Sequence, residues 1–193
     1  MLTPMTELDA VNEMLSMVGE APVNDVATTQ LSEALLAKRV LENVSRATQA
    51  EGLNCNTVTN YQLNLDGNNK LPVPSNALSV DPVDRTLDLI VHKGFLYKKD
   101  GLTNKFDKDI KCKVVFLMDF VDLPEHVRQY IAIRAARVFQ KRVVGSADLH
   151  SLTQEEEVHA RANMRSREVE NEDHNMLTGF LAAQGSINRG SVW

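Results

Sequence analysis

Hydrophobic residues near the start of the chain recur at steps of three and four, which is the spacing of one face of an α-helix. Leu8, Val11 and Leu15 mark a first short helix, with Thr6 and Asp9 placed to cap its start. A second helix is predicted from about residue 29 to residue 52. We predict that its apolar band is Ala34, Leu35, Ala37, Leu41, Val44 and Ala47, and that its solvent-facing side is Lys38, Arg39, Glu42, Asn43, Arg46 and Gln49.

From about residue 56 the period of the hydrophobic residues shortens to two, which is the spacing of a β-strand with one buried face. The strand-like segments are 61–65, 71–74, 78–80, 87–91, 95–97 and 110–118. Tight turns between some of them are indicated by Gly, Asn or Asp residues at 66–69, 93–94 and 100–101. The pattern therefore predicts a small antiparallel β-sheet over residues 56–118.

The helical period returns at residues 123–171, which we predict to form a hairpin of two helices joined at Gly145. The first arm has a continuous apolar stripe, and Pro124 falls in its first turn, where a missing N–H costs nothing. The basic residues that flank this stripe are Arg128, Arg134, Arg137, Lys141 and Arg142. A stripe of this kind is typical of a core helix.

The second arm of the hairpin is more polar than the first. Ser151 and Gln154 can form a capping box at its start, and an acidic first turn follows. Its periodic apolar positions are only Val158, Ala162 and Val169. This stripe is too narrow for an ordinary core helix, so we expect something other than the chain's own core to cover it.

Composition narrows the classes of protein to which the chain can belong. Its 193 residues, 43% of them hydrophobic and 24% charged, are ordinary for a soluble globular protein with a real core. The net charge of −5 argues against a general nucleic-acid binder. Cys55 and Cys112 are too few and too far apart for a disulfide scaffold or a zinc site. The sequence also shows neither a signal peptide nor a segment that could cross a membrane.

The patterns of reactive side chains do not predict a catalytic, cofactor-binding or metal site. Glu155 and His159 share a helix face, but a third ligand at metal-site spacing is missing, so a solvated pair is the favoured interpretation. The turn that begins at Asp66 resembles the start of a calcium loop, but Lys70 and Leu71 stand where that loop needs an oxygen ligand and glycine.

The patterns together predict an α+β fold, a four-helix bundle with a small antiparallel sheet inserted between its second and third helices. The predicted domains are a discontinuous helical bundle of residues 1–55 and 119–178, the inserted β region of residues 56–118, and a C-terminal tail of residues 179–193 that partners order. The physical pattern favours a subunit that completes its packing against copies or partners. A solvated charged helix with a frayed tail is the alternative that the pattern leaves open.

The order of short motifs along the chain resembles that of the tail tubular protein A family, the head-to-tail adaptors of short-tailed phages. The resemblance covers about residues 8–180, and its motifs are ordered and spaced as in that family. The matching residues are Ala10–Leu15, Val18–Val23, Gly94–Tyr97, Phe106, Leu123–Glu125, Arg137–Phe139, Val144–Gly145, Gln154–Glu157, Ala160–Arg161 and Asn175–Leu177.

The resemblance implies a structural virion protein without enzymatic activity or cofactors. It would form a ring of twelve subunits that connects the portal protein to the tail nozzle, with tail fibres attached around the junction. Double-stranded DNA would pass through the lumen without sequence-specific binding, and a membrane would not be a partner. The protein would be made in the host bacterial cytoplasm and reside in the virion tail.

Two alternatives come from other functional classes. One is a virion-associated polysaccharide hydrolase that acts during host entry, and the other is a regulatory binding module. For the ring adaptor, the candidate subunit interface is Arg128, Arg134, Arg137, Glu155, Glu156, Val158, Ala162 and Val169. The candidate partner-binding tail is Val192 and Trp193.

Overall fold

The structure is a computed structural model that describes residues 3–26, 31–145 and 154–170. In this part of the chain the helices are α1 (Glu7–Met17), α2 (Ser32–Gln49), α3 (Glu125–Val143) and α4 (residues 154–170). The strands are β1 (Thr57–Leu63), β2 (Ala77–Pro82), β3 (Leu89–His92), β4 (Phe95–Lys98) and β5 (Ile110–Phe116). These elements confirm the predicted α+β fold with an antiparallel sheet between the second and third helices. The bundle arrangement of the helices stays a prediction.

The described residues divide into two compact units. The first consists of those up to Lys38 and from Pro124 onward, and the second is Arg39–Leu123. The first boundary between the units falls within α2. The domain boundaries that the sequence pattern predicts, at residues 55 and 119, stay a prediction. None of the helices in the described ranges combines the length and apolar character that a membrane span requires.

The start of α1 forms as its sequence predicts. The Asp9 N–H donates to Thr6 Oγ1 at 3.1 Å, and the Thr6 N–H donates to Asp9 Oδ2 at 2.9 Å, which completes a capping box. The hydrogen bonds from Thr6 lower the pKa of the Asp9 carboxyl, because they favour its charged form. The start of α1 predicted from the sequence therefore agrees with the structure, in which Thr6 is the N-cap.

The start of α3 differs from the prediction by one position. Pro124 is the N-cap residue and therefore lies just before the first turn. The N-terminal end of α3 has no capping hydrogen bond from the side chain of its N-cap residue. The end of α3 agrees with the prediction, since the helix stops at Val143 and Gly145 takes a positive φ of 67°. The predicted capping box of α4 includes Ser151, which lies outside the described residues.

The second unit is built around the central strand β5. The three-stranded sheet has the order β1-β5-β2, and both pairings are antiparallel. The hairpin of β3 and β4 forms a separate two-stranded sheet. The buried residues of this unit's core cluster are Leu63, Leu71, Val80, Leu96, Phe106, Ile110, Cys112 and Val114. Burial raises the pKa of the Cys112 thiol to about 11, so it is an unreactive core residue.

A buried polar network joins the end of α2 to the end of β5. Gln49 is fully buried, and its amide nitrogen donates to the Met118 carbonyl at 3.0 Å while its oxygen accepts from the Met118 N–H at 2.8 Å. The expectation that Gln49 faces solvent is therefore wrong. Leu35 and Ala47 were expected in the apolar band of α2 and are exposed instead.

Asn56 is the second member of this network, and we expect Asn56→Ala to lower the free energy of unfolding by about 2 kcal/mol. Its side chain donates to the carbonyls of Gln49 at 3.0 Å and Phe116 at 2.8 Å, and accepts from the Leu53 N–H at 2.9 Å. Alanine would leave these backbone groups buried without partners. Urea denaturation measures the loss. Asn60→Ala, at an exposed position of β1, is the control and should change stability by less than about 0.5 kcal/mol.

Candidate assembly surface

The first unit has a core formed largely by α1 and α3. Its buried residues in these helices are Ala10, Val11, Met14, Leu15, Val127, Tyr130, Ile131, Ala132, Ala135, Ala136, Phe139 and Gln140. The chain before α1 is tied to α3, because the Met5 N–H donates to Glu125 Oε2 at 3.0 Å and Arg128 Nη1 donates to the Met5 carbonyl at 2.8 Å. This core holds α3 in place as a support for α4.

Helix α4 contacts α3 mainly through charged side chains. Glu157, whose side chain is 13% exposed, forms ion pairs with Arg137 and with Arg134, the latter at 3.8 Å between Nε and Oε1. Near the C-terminal end of the described helix, Glu168 Oε1 lies 3.1 Å from His126 Nε2. A glutamate with so little exposure is costly to leave without a partner, so these contacts favour the position of α4 on α3.

Met164 is the one residue of the described part of α4 that is buried, and it is 1% exposed. Met164 follows Glu157 by seven residues and precedes Glu168 by four, so all three lie on one side of the helix. This is the inner face of α4. It combines one buried methionine with two glutamates whose side chains are 13% and 14% exposed, so a hydrophobic pattern does not reveal it.

A different side of α4 is the outer face, which we define as Glu155, Val158, Ala162 and Val169. All four residues are exposed, and the two valines are 61% and 54% exposed. The two valines are separated along the helix by about 16 Å, so they are two exposed positions on one side of α4 and do not form a contiguous patch. The sequence pattern predicts this stripe, and its residues are exposed in the part of the chain that the structure describes.

The predicted interface residues fall into two groups. Arg128, Arg134 and Arg137 make contacts within the chain, to Met5 in the first case and to Glu157 in the other two. Glu155, Glu156, Val158, Ala162 and Val169 are at the surface. Their role in an interface stays a prediction, and so does that of Val192 and Trp193, which lie outside the described residues.

Two glutamates of like charge approach each other where α4 passes α1. Although Glu13 is exposed as a residue, burial of its carboxyl and then the negative charge of Glu156 raise its pKa. A raised pKa means that the folded chain binds this proton more tightly than the unfolded chain does. The contribution of Glu13 to stability is therefore fully present at acidic pH and is lost as pH rises through the raised pKa.

A groove of about 600 Å³ runs beside the contact of α3 with α4. Its lining is polar and includes His126, Gln129, Glu156, His159 and Arg167. His159, one half of the predicted pair with Glu155, therefore faces this groove. The described residues contain no group of three or more His, Cys, Asp or Glu side chains that could hold a metal ion.

Comparisons with known proteins agree with the motifs along the chain. The model of the tail tubular protein family matches residues 8–174, a range that begins at the second residue of α1 and contains all the other helices and strands described above. Tail tubular protein A of Klebsiella phage KP34 is 32% identical over 154 residues, which are 79% of this chain and 82% of that protein.

Proposed function

The chain belongs to the tail tubular protein family and is a structural protein of a phage tail, and from this premise we propose that it is a ring-forming adaptor. The ring of twelve copies connects the portal protein to the tail nozzle and forms part of the channel through which DNA leaves the head. Tail fibres attach around it. The subunit is made in the host cytoplasm and acts in the virion tail as a structural element.

The outer face of α4 is the observation that supports assembly. Val158 and Val169 are exposed in the isolated subunit, while ion pairs from Glu157 hold the same helix on α3. Because the two valines are already partly buried, covering what remains of each against a neighbour would contribute about 1 to 2 kcal/mol. A closed ring needs two different faces on every subunit, and the outer face of α4 is proposed as one of them.

The charge of the chain suits a channel that DNA must leave freely. A lumen wall rich in Lys and Arg would neutralise phosphates and hold the DNA by counterion release. The net charge of −5 keeps such contacts few.

Electron microscopy of the purified protein, alone and mixed with portal protein, tests this proposal. We expect closed rings with a central hole, and a mass by light scattering that is a fixed multiple of the 21.5 kDa subunit. A protein that stays monomeric and also fails to bind portal protein would contradict the proposal. Negative-stain images of the same preparation after heating serve as a control for non-specific clustering.

A further inference from the structure

The contact between α4 and α3 includes a histidine near the C-terminal end of the described part of α4. His126 Nε2 lies 3.1 Å from Glu168 Oε1, and the two side chains are 16% and 14% exposed. His126 also lines the groove of about 600 Å³ beside this contact, so its ring can exchange protons with solvent. We call the contact of His126 with Glu168 the histidine clasp.

The strength of the histidine clasp depends on the charge of the imidazole. Histidine is the side chain whose charge ordinarily changes between about pH 5 and about pH 8. A neutral His126 can donate a hydrogen bond from Nε2 to the Glu168 carboxylate, and a protonated His126 adds the attraction between opposite charges. Water screens this attraction less at such low exposure than on an open surface. The clasp is therefore strongest when His126 is protonated, and it weakens as pH rises.

The other charged groups around His126 do not reverse this direction. His126 is the second residue of α3, so the positive end of the helix dipole opposes its protonation, but a direct contact with a carboxylate outweighs that effect. Arg128 is bound to Glu125 and to the uncharged Met5 carbonyl. From α4 the groove receives two carboxylates and one guanidinium, which also favours protonation. The charged or titratable residues of α4 that line it are Glu156, His159, Arg167 and Glu170.

The histidine clasp is the last contact that covers the described part of α4. Glu168 is partly buried, whereas the two residues that follow it in this part of the helix are exposed. The preceding buried residue is Met164, about one turn earlier. Val169 of the outer face directly follows Glu168, so the clasp also positions one of the two exposed valines of that face.

We propose that the histidine clasp is a pH-sensitive switch, which holds the C-terminal part of the described α4 on α3 at mildly acidic pH and loosens it at mildly alkaline pH. Both side chains belong to one chain, so this inference goes beyond the proposed ring and does not depend on it. The switch acts on the segment 164–170, because the buried Met164 and the clasp are what hold that segment on α3.

Hydrogen exchange of the full chain at about pH 5.5 and about pH 8 tests the switch. After correction for intrinsic exchange rates, we expect the amides of residues 164–170 to be about fivefold more protected at the acidic pH. His126→Gln keeps a side-chain donor without a titrating charge, and it should remove this difference. His159→Gln is the matched control, because His159 is an exposed histidine on the same groove, and it should leave the difference unchanged.

A second titrating contact lies towards the other end of α4, and the same variant separates it from the clasp. Burial of its carboxyl and then the negative charge of Glu156 raise the pKa of Glu13, so acidic pH favours the approach of α1 and α4 there as well. That contribution is still present in His126→Gln. The part of the pH dependence that this variant loses therefore belongs to the clasp.

Glu168→Gln tests the clasp from its other side, because glutamine keeps an acceptor and removes the charge. It should also remove the difference over residues 164–170, and protection of α1 in the same samples shows that each variant is folded. Equal protection of residues 164–170 at both pH values in the wild type would overturn the inference. So would a difference that persists undiminished in His126→Gln or Glu168→Gln, or one that His159→Gln removes. The ring adaptor would stand in each case, because none of these measurements reports assembly.

Discussion

Replacing Val158 and Val169 together by glutamate is expected to abolish ring assembly while the subunit stays folded. The two valines are 61% and 54% exposed in the subunit, so glutamate at these positions remains solvated and removes no core contact. In the proposed ring the same carboxylates would be buried where the native contact accommodates valine side chains. Each contact should be weakened by about 3 kcal/mol, a factor of more than 100 in affinity. Size-exclusion chromatography with light scattering measures the loss.

The subunit's own stability separates this result from simple unfolding. Glutamate has a higher helix propensity than valine, and a glutamate at position 169 would follow Arg165 by one turn, so we expect the unfolding transition to shift by less than about 0.5 kcal/mol. Val121→Glu changes a valine that is 55% exposed in the second unit, and it should assemble normally. If the double variant still forms rings, the outer face of α4 is not a contact surface.

Much of the fold was predictable because local signals dominate where helices start and strands turn. The capping box of Thr6 and Asp9 uses only side chains within one turn of helix, so the sequence contains all of its partners. The hairpin of β3 and β4 turns at Lys93 and Gly94, both with positive φ, as the Gly-containing turn signal indicated. These features do not depend on the tertiary structure.

Gln49 shows why the remaining positions could not be predicted. A polar residue on an amphipathic helix is assigned to solvent by its chemistry, yet Gln49 is buried by partners that lie sixty-nine residues away, at Met118. The pattern of one helix does not contain those partners. The helical period also assigns Leu35 and Ala47 to the core, and this prediction is wrong because both side chains are exposed. The period of one helix does not contain the tertiary contacts that decide which side chains are covered.

The hydrophobic pattern does not predict the inner face of α4, because charged side chains on a helix normally face solvent. Glu157 and Glu168 pair with groups on α3 and lie on either side of the buried Met164. Their spacing places all three residues on one side of the helix. Together with the arginines of α3 as possible partners, this spacing is the signal in the sequence that predicts a contact between α4 and α3. Arg134 and Arg137 thus have a partner within the chain, and their role in a subunit interface stays a prediction.

Replacing Glu157 by alanine is expected to cost about 3 kcal/mol of the free energy of unfolding, the largest effect we expect on the stability of the subunit. The Glu157 side chain is 13% exposed, and its two partners Arg134 and Arg137 are 29% and 23% exposed, so neither arginine can become fully hydrated when the carboxylate is removed. Two cations would then face each other in a partly buried site. Urea denaturation followed by circular dichroism measures the change.

A double-mutant cycle attributes this loss to the ion pair. Arg137→Ala alone should also destabilise the subunit, and the double variant should lose less than the sum of the single losses by at least about 1 kcal/mol. Glu155→Ala is the matched control, since the same residue type two positions earlier is exposed, and it should change stability by less than about 0.5 kcal/mol. Equal losses at positions 155 and 157 would contradict a charge-held helix. If Glu157→Ala also weakens ring assembly at temperatures where the subunit stays folded, α4 must be held on α3 for its outer face to bind the next copy.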